Sequence, residues 1–148
     1  LFMDKYIYII CPFVTLVICQ IIKFIIEAIE NKKMNFARLI NGCGGMPSSH
    51  TSFSSSVTML IGFEMGFDTP LFAACLIFTF ITAYDAMGLR WESGKQAEAI
   101  NLIFDSFVRG KPKKGFKRLK EQLGHKPLEV IAGMLLGTIV ALIFSTNI

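Results

Sequence analysis

His50 and His125 are the two imidazoles in this 148-residue chain, and each lies within three residues of a proline that opens an apolar run. An imidazole at such a place can act as a nucleophile or carry a proton. Glu129 follows His125 by one helical turn, so its carboxylate can accept a hydrogen bond from one ring nitrogen and leave the other free to attack. The run Gly44-Gly45-Met46-Pro47-Ser48-Ser49-His50 has the outline of an anion site. Proline suits the first helical position, and the free N–H groups of a helix start, with Ser48 and Ser49 beside them, can cradle a phosphate that Gly45 lets approach closely. The plain alternative is a capped helix start with a solvated histidine. For either histidine alone a bland interfacial role is the stronger reading; the matched pair favours catalysis.

A third cluster, Tyr84-Asp85-Ala86-Met87-Gly88-Leu89-Arg90, brings a carboxylate and a guanidinium to the end of another apolar run. A carboxylate at that depth is costly unless it is paired or used. Asp85 could pair with Arg90, Lys23 or a histidine, and a structural salt bridge stands equal to a catalytic role. The planar fork of Arg90 suits phosphate oxygens.

These residues need apolar elements to hold them. Hydrophobic content of 53% and a mean hydropathy of +0.54 exceed what an ordinary soluble domain carries, and the length suits a single domain, 1–148. The expected fold is all-α, an integral membrane helical bundle of about four transmembrane helices plus one interfacial amphipathic helix. The spans are Tyr6 to Ile29, Pro47 to Phe67, Thr69 to Met87 and Pro127 to Phe144, the second with polar ends that suit dipping into the bilayer as well as crossing it. Pro12 is a place for a kink in the first, and Lys23 and Glu27 must sit near its end or face protein. That first run is longer than a signal-peptide core, lacks a basic leader, and is followed by no small-residue cleavage site. From Ala97 to Val108 apolar residues recur at helical spacing, which places the interfacial helix there.

If all four runs span, 31–46 and 88–126 share one side, and of 15 Lys and Arg only Lys5 and Lys23 fall elsewhere. The positive-inside rule makes that side cytoplasmic, in a bacterial inner (plasma) membrane. Anionic lipid headgroups are the simplest partner for such a layer. Nucleic acid is excluded, because aromatic residues do not interleave with the charges. Cys11, Cys19, Cys43 and Cys75 have no metal-ligand spacing and read as reduced packing residues. Gly62 with Gly66, and Gly133 with Gly137, permit close helix contact, with which a homo-oligomer is also compatible.

Gly-Gly-Met-Pro-Ser-Ser-His at 44–50, Tyr-Asp-Ala-x-Gly-x-Arg at 84–90, Gly-x-Gln-Ala at 94–97 with Asn101, and Gly-His-x-Pro-x-Glu-Val at 124–130 together resemble the divergent branch of the type 2 phosphatidic acid phosphatase superfamily. The resemblance runs from Gln20 to Gly137. It implies that His125 is the nucleophile, with Glu129 orienting it, and that His50 is the general acid. Asp85 joins the expected catalytic set. The substrate-binding set is Ser48, Ser49, Arg90, Lys23, Arg38, Gly45 and Asn101.

Two departures from the superfamily pattern concern cations. Lys23 and Arg38 are too far apart for its Lys-x6-Arg-Pro motif, and Leu119, between Arg118 and Lys120, occupies the place of an arginine six residues before the nucleophile. The implied function is hydrolysis of a lipid phosphate or diphosphate through a phosphohistidine. It requires no cofactor, although Asp85 and Glu98 could hold Mg beside the phosphate. The rivals are a headgroup-binding or transport protein without turnover, a vanadate haloperoxidase, and a purely structural membrane subunit.

Overall fold

The computed structural model describes residues 3–31, 45–108, 118–119 and 124–147. Its helices are α1 (Met3–Asn31), α2 (Ser49–Met65), α3 (Pro70–Met87), α4 (Leu89–Val108) and α5 (Pro127–Thr146), with no strand among the described residues. Arg38 and Cys43 lie outside the described residues.

Local chemistry sets the helix limits. Pro70 opens α3, and the Thr69 hydroxyl accepts the Phe72 N–H at 3.3 Å. Pro127 opens α5, where the Glu129 carboxylate reaches back to the Lys126 N–H at 3.3 Å. Gly66, at φ 103°, ends α2 in a conformation that favours glycine. α1 continues through Pro12 as one helix.

Polarity is inverted relative to a soluble protein. α2 lies in the middle, packed against α1, α3 and α5, and what it buries is largely hydroxyl: Ser48, Thr51, Ser52, Ser56 and Thr58 are inaccessible or nearly so. Backbone carbonyls satisfy three of these groups, Ser52 Oγ donating to Ser48 O at 2.7 Å, Ser56 Oγ to Phe53 O at 2.9 Å and Thr58 Oγ1 to Ser54 O at 2.9 Å, while the Ser48 and Thr51 hydroxyls pair with each other. The surrounding helices turn Ile9, Phe13 and Val17 of α1, Phe78 and Ile81 of α3, and Ile131 and Leu135 of α5 outward. Exposed apolar rows around a satisfied polar centre fit a lipid solvent, because lipid cannot hydrogen-bond a stray hydroxyl.

Three stretches are long and apolar enough to cross a membrane: Tyr6–Ile29, Pro70–Asp105 and Pro127–Thr146. These account for three of the about four expected spans, and the fourth, Pro47 to Phe67, corresponds to α2. At 17 residues α2 is about 26 Å long, at the lower limit for crossing a hydrocarbon core of roughly 30 Å, and its serines suit enclosure by other helices better than contact with lipid. The amphipathic helix also starts earlier than expected, at Leu89 directly after Gly88. Its buried positions include Gly94, Ala97 and Asn101, spaced by three and four residues.

Small residues set the closest approach in the bundle. A Cβ on Gly133 would lie 2.7 Å from Ser48 O, and one on Gly137 would lie 2.6 Å from Ser52 O and 2.8 Å from Ser56 N. Any side chain at either place would push α5 off α2. The other glycine pair acts locally: Gly62 faces the Phe67 ring and Gly66 caps α2. At the end of the bundle away from the histidines, Ile7, Cys11, Leu60, Val140 and Ala141 form an apolar cluster.

Gly137→Leu is expected to destabilise the bundle by at least about 1–3 kcal/mol, the usual cost of overpacking, while Ile139→Leu on the exposed side of α5 should be near neutral. Thermal unfolding of the two purified variants in one detergent checks this, and equal midpoints would refute the close contact.

Candidate functional site

The site is assembled where the second half of α1, the starts of α2 and α5, and the end of α3 meet. His125 lies just ahead of α5. Its Nδ1 is 2.7 Å from Glu129 Oε2, and its own N–H donates to the Ala86 carbonyl at 2.9 Å, which ties the start of α5 to the last turn of α3. The side chain is 6% exposed. In the neutral ring, a carboxylate at Nδ1 favours the tautomer that keeps the proton on that nitrogen and leaves the lone pair on Nε2. Among the described residues no side chain hydrogen-bonds Nε2.

The second half of the site is the turn into α2. Gly45, at φ 80°, takes a left-handed conformation that glycine adopts without strain, and the chain then passes through buried Pro47. The Ser49 Oγ accepts from Lys23 Nζ at 2.7 Å and from Gln20 Nε2 at 3.4 Å, with the Cys19 thiol at 3.6 Å. The same thiol reaches the Pro47 carbonyl at 3.4 Å. Lys23 is 3% exposed, so the cation that interrupts the first apolar run faces the protein interior, at the start of α2.

Ser48 joins the two halves. Its N–H donates to the Glu129 carbonyl at 2.9 Å, its hydroxyl pairs with Thr51 Oγ1 at 3.0 Å, and its carbonyl accepts from Ser52. Two helix N-termini therefore lie side by side, each with a positive dipole end, next to a buried ammonium. Such an arrangement attracts an anion. The hydroxyls of Ser48 and Ser49 are engaged in holding it together.

The remaining expected residues divide by place. His50 is on the exposed side of the first turn of α2. Asp85 is half-buried in the last turn of α3, one residue before the carbonyl that anchors His125. Arg90 falls in the first turn of α4, with its side chain outside the described set. Asn101 is 2% exposed, and its amide grips the backbone of Leu119: Nδ2 donates to Leu119 O at 2.9 Å and Oδ1 accepts the Leu119 N–H at 3.1 Å. Arg118 forms an exposed ion pair with Asp105.

Cys19 and Gln20, which belong to none of the sequence motifs, take part as well. The signal was present: with Lys23 they sit at helical spacing inside an apolar run, where polar groups on one face must meet protein.

An uncharacterized membrane protein of Bacillus subtilis (strain 168), YuiD, is 36% identical over 140 residues, which span 88% of this chain and 88% of that protein. No solved structure matches the chain. Residues 5–140 match the Divergent PAP2 family, a span that takes in both histidine clusters and the buried lysine, and the chain belongs to that family.

Proposed function

We propose that this chain is a membrane-embedded phosphatase that hydrolyses a lipid phosphate or diphosphate through a phosphohistidine. The observation that carries the reading is His125: buried, held at Nδ1 by Glu129 at 2.7 Å, and placed where two helix starts and Lys23 concentrate positive potential. A protein that only binds headgroups has use for the cation and the helix starts, but none for an oriented imidazole.

In this scheme the Nε2 lone pair of His125 attacks phosphorus as the bond to the leaving oxygen breaks, and His50 donates a proton to that oxygen. Glu129 stabilises the charge that develops on the His125 ring. A water molecule then attacks the phosphohistidine, His50 takes its proton, and phosphate leaves with the imidazole neutral again. Lys23, the first N–H groups of α2 and Arg90 offset charge on the phosphoryl oxygens. Ser48 and Ser49 serve as the frame, Ser49 setting the position of the Lys23 ammonium. The apolar outer faces of the helices keep the lipid tails in the bilayer. The positive-inside rule, applied to the basic residues of the connecting segments, supports a cytoplasmic face for the site, where those residues would attract anionic headgroups.

The test is phosphate release by the purified protein from a panel of lipid phosphates and diphosphates. His50→Ala should lower turnover by about 10²–10⁴-fold, the usual contribution of a general acid. His125→Ala should abolish it, and acid-labile, base-stable phosphate should be trapped on the wild-type protein but not on His125→Ala. Equal release by the three proteins would sink the mechanism, and saturable headgroup binding without release would favour the binding protein.

Glu129→Gln preserves shape but removes the charge behind the imidazole, so kcat should fall by about 10²-fold with KM little changed. A rise in KM alone would mean that Glu129 serves substrate binding. Because no step requires a metal, full activity should survive chelation of divalent cations; loss that Mg restores would assign Asp85 and Glu98 a cation.

A further inference from the structure

The amide of Asn101 matches the hydrogen-bonding pattern of a single residue's backbone, donor to carbonyl and acceptor to N–H, at 2.9 and 3.1 Å. This pairing fixes the amide orientation, because exchanging its O and N would set two donors and two acceptors against one another. At 2% exposure the group is withdrawn from solvent, so the bonds are poorly replaced by water if they break. The nearby Arg118–Asp105 pair is exposed on both sides and is a weaker hold.

Leu119 stands six residues before His125. Chain of that length reaches at most about 20 Å, so its two ends restrict each other. Both ends are held by one continuous piece of structure: α3 supplies the Ala86 carbonyl to the His125 N–H, and α4, which follows directly after Gly88, supplies Asn101 to Leu119.

We infer that Asn101 is a positioning residue for the nucleophile, a latch that anchors the chain six residues ahead of His125 by gripping the backbone of Leu119. The side chain at 119 is immaterial to this grip, which suits a leucine at that place. The inference rests on the phosphohistidine reading for its catalytic consequence, while the latch itself is a matter of backbone geometry.

The experiment uses the full chain in nanodiscs with three readouts: hydrogen exchange at the Leu119 amide, the rate of carbethoxylation of His125 relative to His50 by diethyl pyrocarbonate, and the kinetics of phosphate release. In Asn101→Leu the Leu119 amide should lose at least about tenfold protection while amides in the middle of α5 keep theirs. The His125 rate should rise relative to His50, and kcat should fall by about 10²-fold with KM within about threefold.

Asn101→Asp keeps the acceptor for the N–H but sets an oxygen against the Leu119 carbonyl, and intermediate values are expected in all three. It decides the matter if the leucine variant does not fold. Unchanged protection at Leu119, or protection lost with the histidine ratio unchanged, would overturn the latch. If the wild-type protein releases no phosphate from any lipid, the phosphatase reading falls, and exchange and carbethoxylation still decide the latch.

Discussion

A backbone bond of 2.9 Å from the Ser48 N–H to the Glu129 carbonyl joins the starts of α2 and α5, and the geometry of the site follows from it. Two helix N-termini side by side repel through their dipoles, so the contact needs compensation. Part of it is steric: Gly133 and Gly137 have no side chains, and the backbone of α5 can rest on the serines of α2. Another part is the Glu129 carboxylate, which places negative charge beside both starts and holds His125 at the same time. One residue thus contributes its carbonyl to the joint and its side chain to the chemistry.

The same economy explains why the interior of a membrane bundle is polar. Each serine and threonine of α2 that bonds to a carbonyl one turn back is satisfied without water, and its small volume lets neighbouring helices approach. Lys23 is tolerated in this setting because Ser49 accepts a hydrogen bond from its ammonium at 2.7 Å and the position lies toward the end of the first apolar stretch. The result is a buried cation aimed at a helix start, with an apolar exterior available to lipid tails.

Much of this was legible in the residues. The one-turn spacing of His125 and Glu129 is a local property of a helix start, and it holds at 2.7 Å. The long apolar runs identify α1, α3 and α5 as elements, and the alternation of spans brings the polar clusters to one end. α2 is less legible, because its run of mixed serine and apolar residues has the length of a short span but the burial of a central helix. Composition counts apolar residues; it does not say whether a helix meets lipid or is ringed by others.

Ser48 and Ser49 make the same point at atomic scale. Hydroxyls in the first turn of a helix are the right groups for an anion, yet one is paired with Thr51 and the other with Lys23. Asn101 likewise stands among polar residues in the chain but turns its amide to a backbone 18 residues away. The sequence by itself determined the membrane-helix elements, the pairing of His125 with Glu129 and the gathering of polar clusters, because these depend on periodicity and on neighbours within one turn. Only the tertiary structure decided which hydroxyls are engaged, that Lys23 faces the start of α2, and what Asn101 holds, because those depend on how closely helices approach and in what register, which the glycines of α5 set.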